Sequence, residues 1–161
     1  MRIIGDGGHA KVARDVWEAQ PWRFPNPNDH AFIAIGDNAQ RKAKFEALKS
    51  HFHFHNLIHP SAILGSGVEI GDGTIIMAGA VVQARARIGK HCIINTCASV
   101  DHDCIIGDYA HIAPGAHLCG HVEVGEGSLV GVGVGIAPMC KIPAWTLVKA
   151  RRLEMEPLYA V

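Results

Sequence analysis

The sequence predicts a mainly β protein: a three-sided parallel β-solenoid of about five coils, preceded by a small α/β segment. Three observations carry that prediction. From Ile58 to Val148 every sixth residue is aliphatic, beginning Ile58, Leu64, Ile70, Ile76, Val82. Four places after each of the first fifteen comes a small or β-branched residue, as at Ala62, Val68, Thr74, Ala80 and Cys92. An Ile-Gly or Val-Gly pair recurs at Ile70-Gly71, Ile88-Gly89, Ile106-Gly107 and Val124-Gly125, so three hexapeptides make one coil. A helix period or simple strand alternation does not give this pattern; a hexapeptide repeat does.

Each element follows from those periods. The small residue and the next aliphatic one are two apart, so both point into the prism from a short strand. Between them lie dipeptides rich in turn residues, such as Ser66-Gly67, Asp72-Gly73, Pro114-Gly115 and Glu126-Gly127, which turn the corners. Stacked coils pair their backbones at about 4.8 Å. The ends of the stack need covers, and Lys149–Val161, with Lys149, Arg151, Arg152 and Pro157, reads as a capping tail.

Ahead of the repeats, Met1–Asp6 opens as a strand and leads into Gly5-Asp6-Gly7-Gly8-His9, followed by an amphipathic helix over Lys11–Ala19. A strand, a glycine turn and a helix start can hold a phosphate on backbone N–H groups; a tight turn without ligand fits the same residues. Gln20–His30 contains three prolines and reads as a loop. Ala31–Ile35 is a second buried strand, ending in Gly36-Asp37-Asn38, and a helix follows through Arg41–Ser50. His51–His55 alternates His and Phe; its three imidazoles on one face would suit a metal, and a linking strand that buries Phe52 and Phe54 is the preferred reading.

Residues one coil apart stack, so the outside can be read face by face. Glu69, Arg87, Ile105, Glu123 and Lys141 form a charged solvent face. Ile75, Ile93, His111, Leu129 and Leu147, with Met77 and Ala113 beside them, form an apolar column that reads as a homo-oligomer contact, most simply a closed ring. One corner runs Ser66-Gly67, Ala84-Arg85, His102-Asp103, Gly120-His121, Pro138-Met139. There a base stands next to a carboxylate, and Gly120 one coil along leaves room over it. His102 and His111 lie on different sides of the prism; if both serve one site, they meet across a subunit boundary.

Fifteen basic residues balance fifteen acidic ones, which argues against a nucleic-acid or membrane-surface partner. Neither a signal peptide nor a membrane span is visible, and the uncharged run Ser128–Cys140 is broken by glycines. None of the five cysteines forms a close pair, and Cys92, Cys104 and Cys140 fill the small inward slot, so core packing with reduced thiols in a cytoplasmic protein is expected.

The segment Ile93–Gly120, "IINTCASVDHDCIIGDYAHIAPGAHLCG", resembles the bacterial sugar acetyltransferases of the left-handed β-helix, hexapeptide-repeat superfamily. The nearest branch holds sialic acid O-acetyltransferases and UDP-4-amino-sugar N-acetyltransferases. The resemblance implies left-handed coiling, a homotrimer, and acetyl-CoA as donor in the cleft between neighbouring prisms. It also implies that His102 is the general base with Asp103 assisting, and that His111, Gly120 and Val132 contact acetyl-CoA. Gly7, Gly8 and His9, with Asp37 and Asn38, would hold the nucleotide-sugar. The chain then divides into a truncated, Rossmann-like nucleotide-sugar-binding part (1–56), the β-helix (57–148) and the tail (149–161), with Ile75, Ile93, Leu129 and Leu147 in the trimer contact.

The expected reaction is direct transfer of acetyl to a sugar amine, without metal or covalent enzyme intermediate. Three alternatives stand beside it. Transfer to a sialic acid hydroxyl would use the same base. A metal hydratase resembling the gamma-class carbonic anhydrases needs zinc histidines five residues apart, a spacing that none of the eleven histidines shows. A non-catalytic trimeric scaffold is the third.

Overall fold

The computed structural model describes residues 1–19 and 27–149. Most of the Gln20–His30 loop, and the tail beyond Lys149, lie outside the described residues. The repeats form three parallel sheets of six, five and five strands, each strand two residues long. Face one runs from Leu57–Ile58 to Leu147–Val148, face two from Ile63–Leu64 to Gly135–Ile136, and face three from Glu69–Ile70 to Lys141–Ile142. Every pairing is in register at one coil, for example Ile93 on Ile75 and His111 on Ile93. This is the left-handed parallel β-helix expected from the sequence.

The two inward positions build the axial core. Ile76, Val82, Ile94, Val100, Ile112 and Val130 are fully buried against Ala80, Ala86, Ala98, Ala110 and Ala116. Each buried aliphatic side chain contributes about 1.5–3 kcal/mol. The small slot also accepts groups carrying a proton, and these share one habit. Thr74 Oγ1, Cys92 Sγ, Cys104 Sγ and Ser128 Oγ donate to the carbonyls of Gly89, Gly107, Cys119 and Pro143, in each case fifteen residues further along the chain. A corner carbonyl inside the prism is thereby satisfied. Cys92 and Cys104 are buried as expected, and burial pushes the Cys92 thiol up to about 12. Cys140, in the same slot of the last coil, is exposed.

The second corner residue adopts left-handed backbone. Glycine serves at Gly67, Gly73, Gly79, Gly115, Gly127 and Gly133, but Arg85, His91, Asp103, Tyr109, His121 and Trp145 hold φ of 52–59° without that freedom. Stacked rungs fix these strained positions: Asp103 N–H donates to Ala84 O at 3.1 Å and His121 N–H to His102 O at 3.1 Å.

Ahead of the prism, β1 (Arg2–Ile4), β2 (His30–Ile33) and β3 (His53–Phe54) make a parallel sheet in that order, with α1 (Gly8–Glu18) and α2 (Asn38–Leu48). Both helices begin earlier than the sequence suggests. Asp37 caps α2 by accepting from Gln40 N–H at 2.8 Å, and Gly7 starts α1 with no side-chain cap.

This lobe changes the reading of the apolar column. Ala10, Ala13 and Val16 of α1, with Phe32 and Ala34, pack on Leu57, Ile75, Met77 and Ile93 of face one. Ile75 and Ile93 are each 2 % exposed. They belong to an interface within the chain, so the expected oligomer contact through them is corrected. Of that column, Leu129 is half-buried and Leu147 remains 52 % exposed.

Arg41 pins the lobe in place. It is 1 % exposed, and its guanidinium donates to His91 O (2.8 Å), Tyr109 O (2.6 Å), Ile35 O (2.8 Å), Gly36 O (3.2 Å) and Asn38 Oδ1 (2.7 Å). Two acceptors belong to the prism and three to the lobe. Replacing Arg41 with Ala orphans these acceptors and should cost about 3 kcal/mol or more. Lys42→Ala removes a half-exposed pair with Glu126 and the ammonium's contacts over the Tyr109 and Trp145 rings, and should cost less, about 1–2 kcal/mol. Urea unfolding of the two variants checks the contrast.

Candidate active site

The corner joining faces two and three stands opposite face one and carries His102-Asp103. The Nδ1 of His102 lies 2.8 Å from Asp103 Oδ2. The main-chain N–H of His102 donates to Asp101 Oδ1 at 2.8 Å. Arg85, one coil below, grips the same carboxylate with Nε on Oδ1 (2.8 Å) and Nη2 on Oδ2 (3.1 Å). Hydrogen bonds from Arg85, and then from His102, hold the Asp103 carboxyl well below the usual carboxylate range. An ionised Asp103 fixes the proton of His102 on Nδ1 and leaves the lone pair on Nε2, the arrangement a general base needs.

Gly120 lies directly over this ring. A Cβ there would come within 2.6 Å of Cε1 and 2.7 Å of Nε2 of His102. Its φ is unremarkable among the glycines, so space alone requires glycine. His121 follows, with Nε2 3.8 Å from Asp103 Oδ2 and its ring edge-on to that of His102 at 5.3 Å.

The expected nucleotide-sugar residues converge elsewhere. Gly5–His9, Ala34–Asp37 and Gln40 line a cleft of about 350 Å³. Gly7 and Gly8 leave open space where a side chain would stand, at the uncapped start of α1. Asp37 reaches this cleft. Asn38 does not line it: its amide donates to Gly127 O at 2.9 Å and Ser128 O at 3.3 Å, and its Oδ1 accepts from Arg41. It is a clamp between lobe and prism.

His111 lies on face one beneath the lobe, 8 % exposed. Its Nε2 meets Asn95 Nδ2 at 3.0 Å, its ring also bonds the Gly36 backbone, and His9 packs edge-on at 5.5 Å. Burial, with the Arg41 charge, pushes it down to about 3, so it is neutral at physiological pH. Val132 is exposed on the corner joining faces one and two. Within one chain, therefore, His102, Asp103 and Gly120 are together, His9 and His111 are together, and Val132 is apart from both.

The sequence assigned no role to Arg85, Arg41, Asn95 or His121. The signal for Arg85 and His121 was their shared place in one corner column with Asp103. The His51–His55 strand holds only His53–Phe54, with Phe54 buried; His55 Nε2 bonds His30 Nδ1 at 2.7 Å.

The geometry is that of a three-sided parallel β-helix with a hydrogen-bonded His–Asp pair on one corner. Comparison with known proteins narrows it. The model of the bacterial transferase hexapeptide (six repeats) matches residues 49–84 and 85–120. The solved structure of PerB from Caulobacter crescentus, in complex with CoA and GDP-perosamine, aligns with a TM-score of 0.83 at 36 % identity, covering 90 % of this chain and 83 % of that one. GDP-perosamine N-acetyltransferase of Escherichia coli O157:H7 is 30 % identical over 105 residues, 65 % of this chain and 48 % of the relative. UDP-N-acetylbacillosamine N-acetyltransferase of Bacillus subtilis is 42 % identical over 110 aligned positions, 48 % of this chain and 51 % of the relative. The chain spans about half the length of these curated relatives. It belongs to the left-handed β-helix, hexapeptide-repeat family of bacterial sugar acetyltransferases.

Two predictions follow from the site. Gly120→Ala displaces the half-exposed His102 ring, so the rate should drop by about tenfold or more while the unfolding midpoint barely moves; turnover and melting on one sample test this. The second concerns pH. Burial lowers His91 to about 4 and His111 to about 3, in each case with help from Arg41. Between those values and the ordinary 6.5, the unfolded chain binds protons that the folded chain refuses. Their contribution to stability is complete above the ordinary value and is lost on acidification, by at most about 1.4 kcal/mol per pH unit for each group. Urea midpoints should fall from about pH 7 to about pH 5, less steeply in His91→Phe; an equal slope in that variant would contradict the assignment.

Proposed function

We propose that the chain transfers acetyl from acetyl-CoA to the amino group of a nucleotide-linked 4-amino-sugar, with His102 as base. The observation that carries this reading is the His102 Nδ1–Asp103 Oδ2 bond at 2.8 Å, with Nε2 left free beneath Gly120. The substrate nitrogen attacks the thioester carbonyl, and its proton passes to His102 Nε2. Asp103 stabilises the imidazolium, a backbone N–H holds the oxyanion, and the C–S bond breaks. Coenzyme A leaves as thiolate and is reprotonated. The residues acting here require neither a metal nor a covalent enzyme intermediate.

The lobe, residues 1–56 in this reading, holds the nucleotide-sugar. The α1 N-terminus at Gly7 and Gly8 offers unpaired N–H groups and its positive dipole end to a phosphate, with His9 and Asp37 on the cleft wall. That cleft lies on face one and His102 on the corner opposite, so a complete site takes its parts from two copies. A homotrimer does this, with acetyl-CoA between prisms, Gly120 at the thioester end, and His111 and Val132 supplied from their own faces. Leu129 and Leu147 are the part of the apolar column open to such a contact. The relatives named above act on GDP-linked and UDP-linked sugars, and both carriers are candidates. Five free cysteines support a reducing, cytoplasmic location. No helix among the described residues is long and apolar enough to cross a membrane.

Thiol release from acetyl-CoA, measured with GDP- and UDP-linked 4-amino-sugars, tests the reading. His102→Ala should slow it by about 10²–10⁴-fold with acetyl-CoA affinity unchanged. An equal rate in the variant removes the base.

A further inference from the structure

The corner that carries the base also presents a set of ligand atoms suited to a metal. We infer that His102, Asp103 and His121 bind a divalent cation of the zinc class, and that its occupancy silences the base. The inhibitory half rests on the proposed role of His102; the binding half does not.

Among the described residues this is the one group whose three ligand atoms all lie within 4.8 Å of one another. Two imidazole nitrogens share one carboxylate oxygen: His102 Nδ1 is 2.8 Å, and His121 Nε2 3.8 Å, from Asp103 Oδ2. Zinc bonds imidazole nitrogen at about 2.0–2.1 Å and carboxylate oxygen at about 2.0–2.2 Å, which sets tetrahedral ligand separations near 3.3 Å. The short pair has to open, and the long one to close, by about half an ångström each. The side chains of His102 and His121 are half-exposed or more, so they can make that shift. Their backbones are held by the stacked rungs. Two imidazoles and one carboxylate leave a fourth position for water, and this donor set suits zinc better than magnesium or calcium.

The ion would take the lone pair of His102 Nδ1 in place of the contact with Asp103 Oδ2, and the ring's one proton would shift through solvent from Nδ1 to Nε2, with no net release. A neutral His102 metallated on Nδ1 then carries N–H at Nε2 and has no lone pair there to accept a proton from the substrate. Arg85 opposes binding, because its charge already sits on the same carboxylate. Its Nε bond to Oδ1 (2.8 Å) can persist, but its Nη2 bond to Oδ2 (3.1 Å) has to break for that oxygen to turn to the metal. Asp101, whose carboxylate accepts the His102 N–H, adds a second negative charge close by.

Calorimetric titration of metal-free, tag-free protein with zinc chloride, in a non-chelating buffer near neutral pH, tests this. Wild type should bind an ion that His121→Gln binds at least about tenfold more weakly, and Arg85→Ala should bind it more tightly. Zinc should inhibit thiol release by wild type and spare the His121→Gln variant at the same concentration. Equal affinity in wild type and His121→Gln, or weaker binding after loss of Arg85, overturns the site. Binding without inhibition overturns the silencing. Because the titration uses no substrate, a protein that binds zinc but releases no thiol would count against acetyl transfer and leave the cation site standing.

Discussion

A buried guanidinium without a carboxylate partner holds this molecule together. Arg41 meets only carbonyl oxygens and one amide oxygen, and burial lowers it to about 10, which still leaves it charged at neutral pH. Such a charge is tolerable only when its donors are matched, since an unpaired buried ion costs several kcal/mol. Matching them requires the end of β2, the start of α2 and the rungs at His91 and Tyr109 to meet at one point. The lobe's position on face one follows from this. The charge reaches further, since it helps hold His9, His91 and His111 below their ordinary range. The imidazoles between lobe and prism are therefore kept neutral at physiological pH.

The prism solves a different problem at that far corner. A strand pair positions side chains along a line, whereas a repeating coil stacks them in columns one rung apart. Arg85, Asp103 and His121 occupy the same left-handed turn position in three successive coils, with φ of 59° at each. Their side chains consequently leave the backbone in the same direction, and a cation, a carboxylate and an imidazole fall into contact without any loop to carry them. Rigid rungs, with strain absorbed by the register above and below, give the site its precision.

Much of this was legible in the residues. The six-residue aliphatic period and the eighteen-residue Ile-Gly period specify the faces, the inward positions and the corner column of His102, because strand geometry leaves no other reading of them. The docking of the lobe was not legible. Ile75 and Ile93 look the same in sequence whether they face another copy or the helix carrying Ala10, Ala13 and Val16, since burial is non-directional. Arg41 was equally hidden, standing in a run of charged helix residues beside Lys42, which is only half-buried. The family resemblance implied a ligand contact for Asn38; only the coordinates show its amide turned to Gly127 and Ser128.

The lobe cleft and the proposed base His102 are fixed on opposite sides of one prism, and in the proposed function they act together only when they come from different copies. Mixed oligomers test it most directly. Copies with His102→Ala, lacking the base, would be co-expressed with copies carrying Gly8→Glu, which places a negative charge at the α1 N-terminus, and the mixed species purified through two tags. Each parent alone should be inactive. The account predicts that activity returns in the mixture, where an intact cleft meets an intact base across a boundary. Failure to form a mixed oligomer, or a mixture as inactive as its parents, would contradict it.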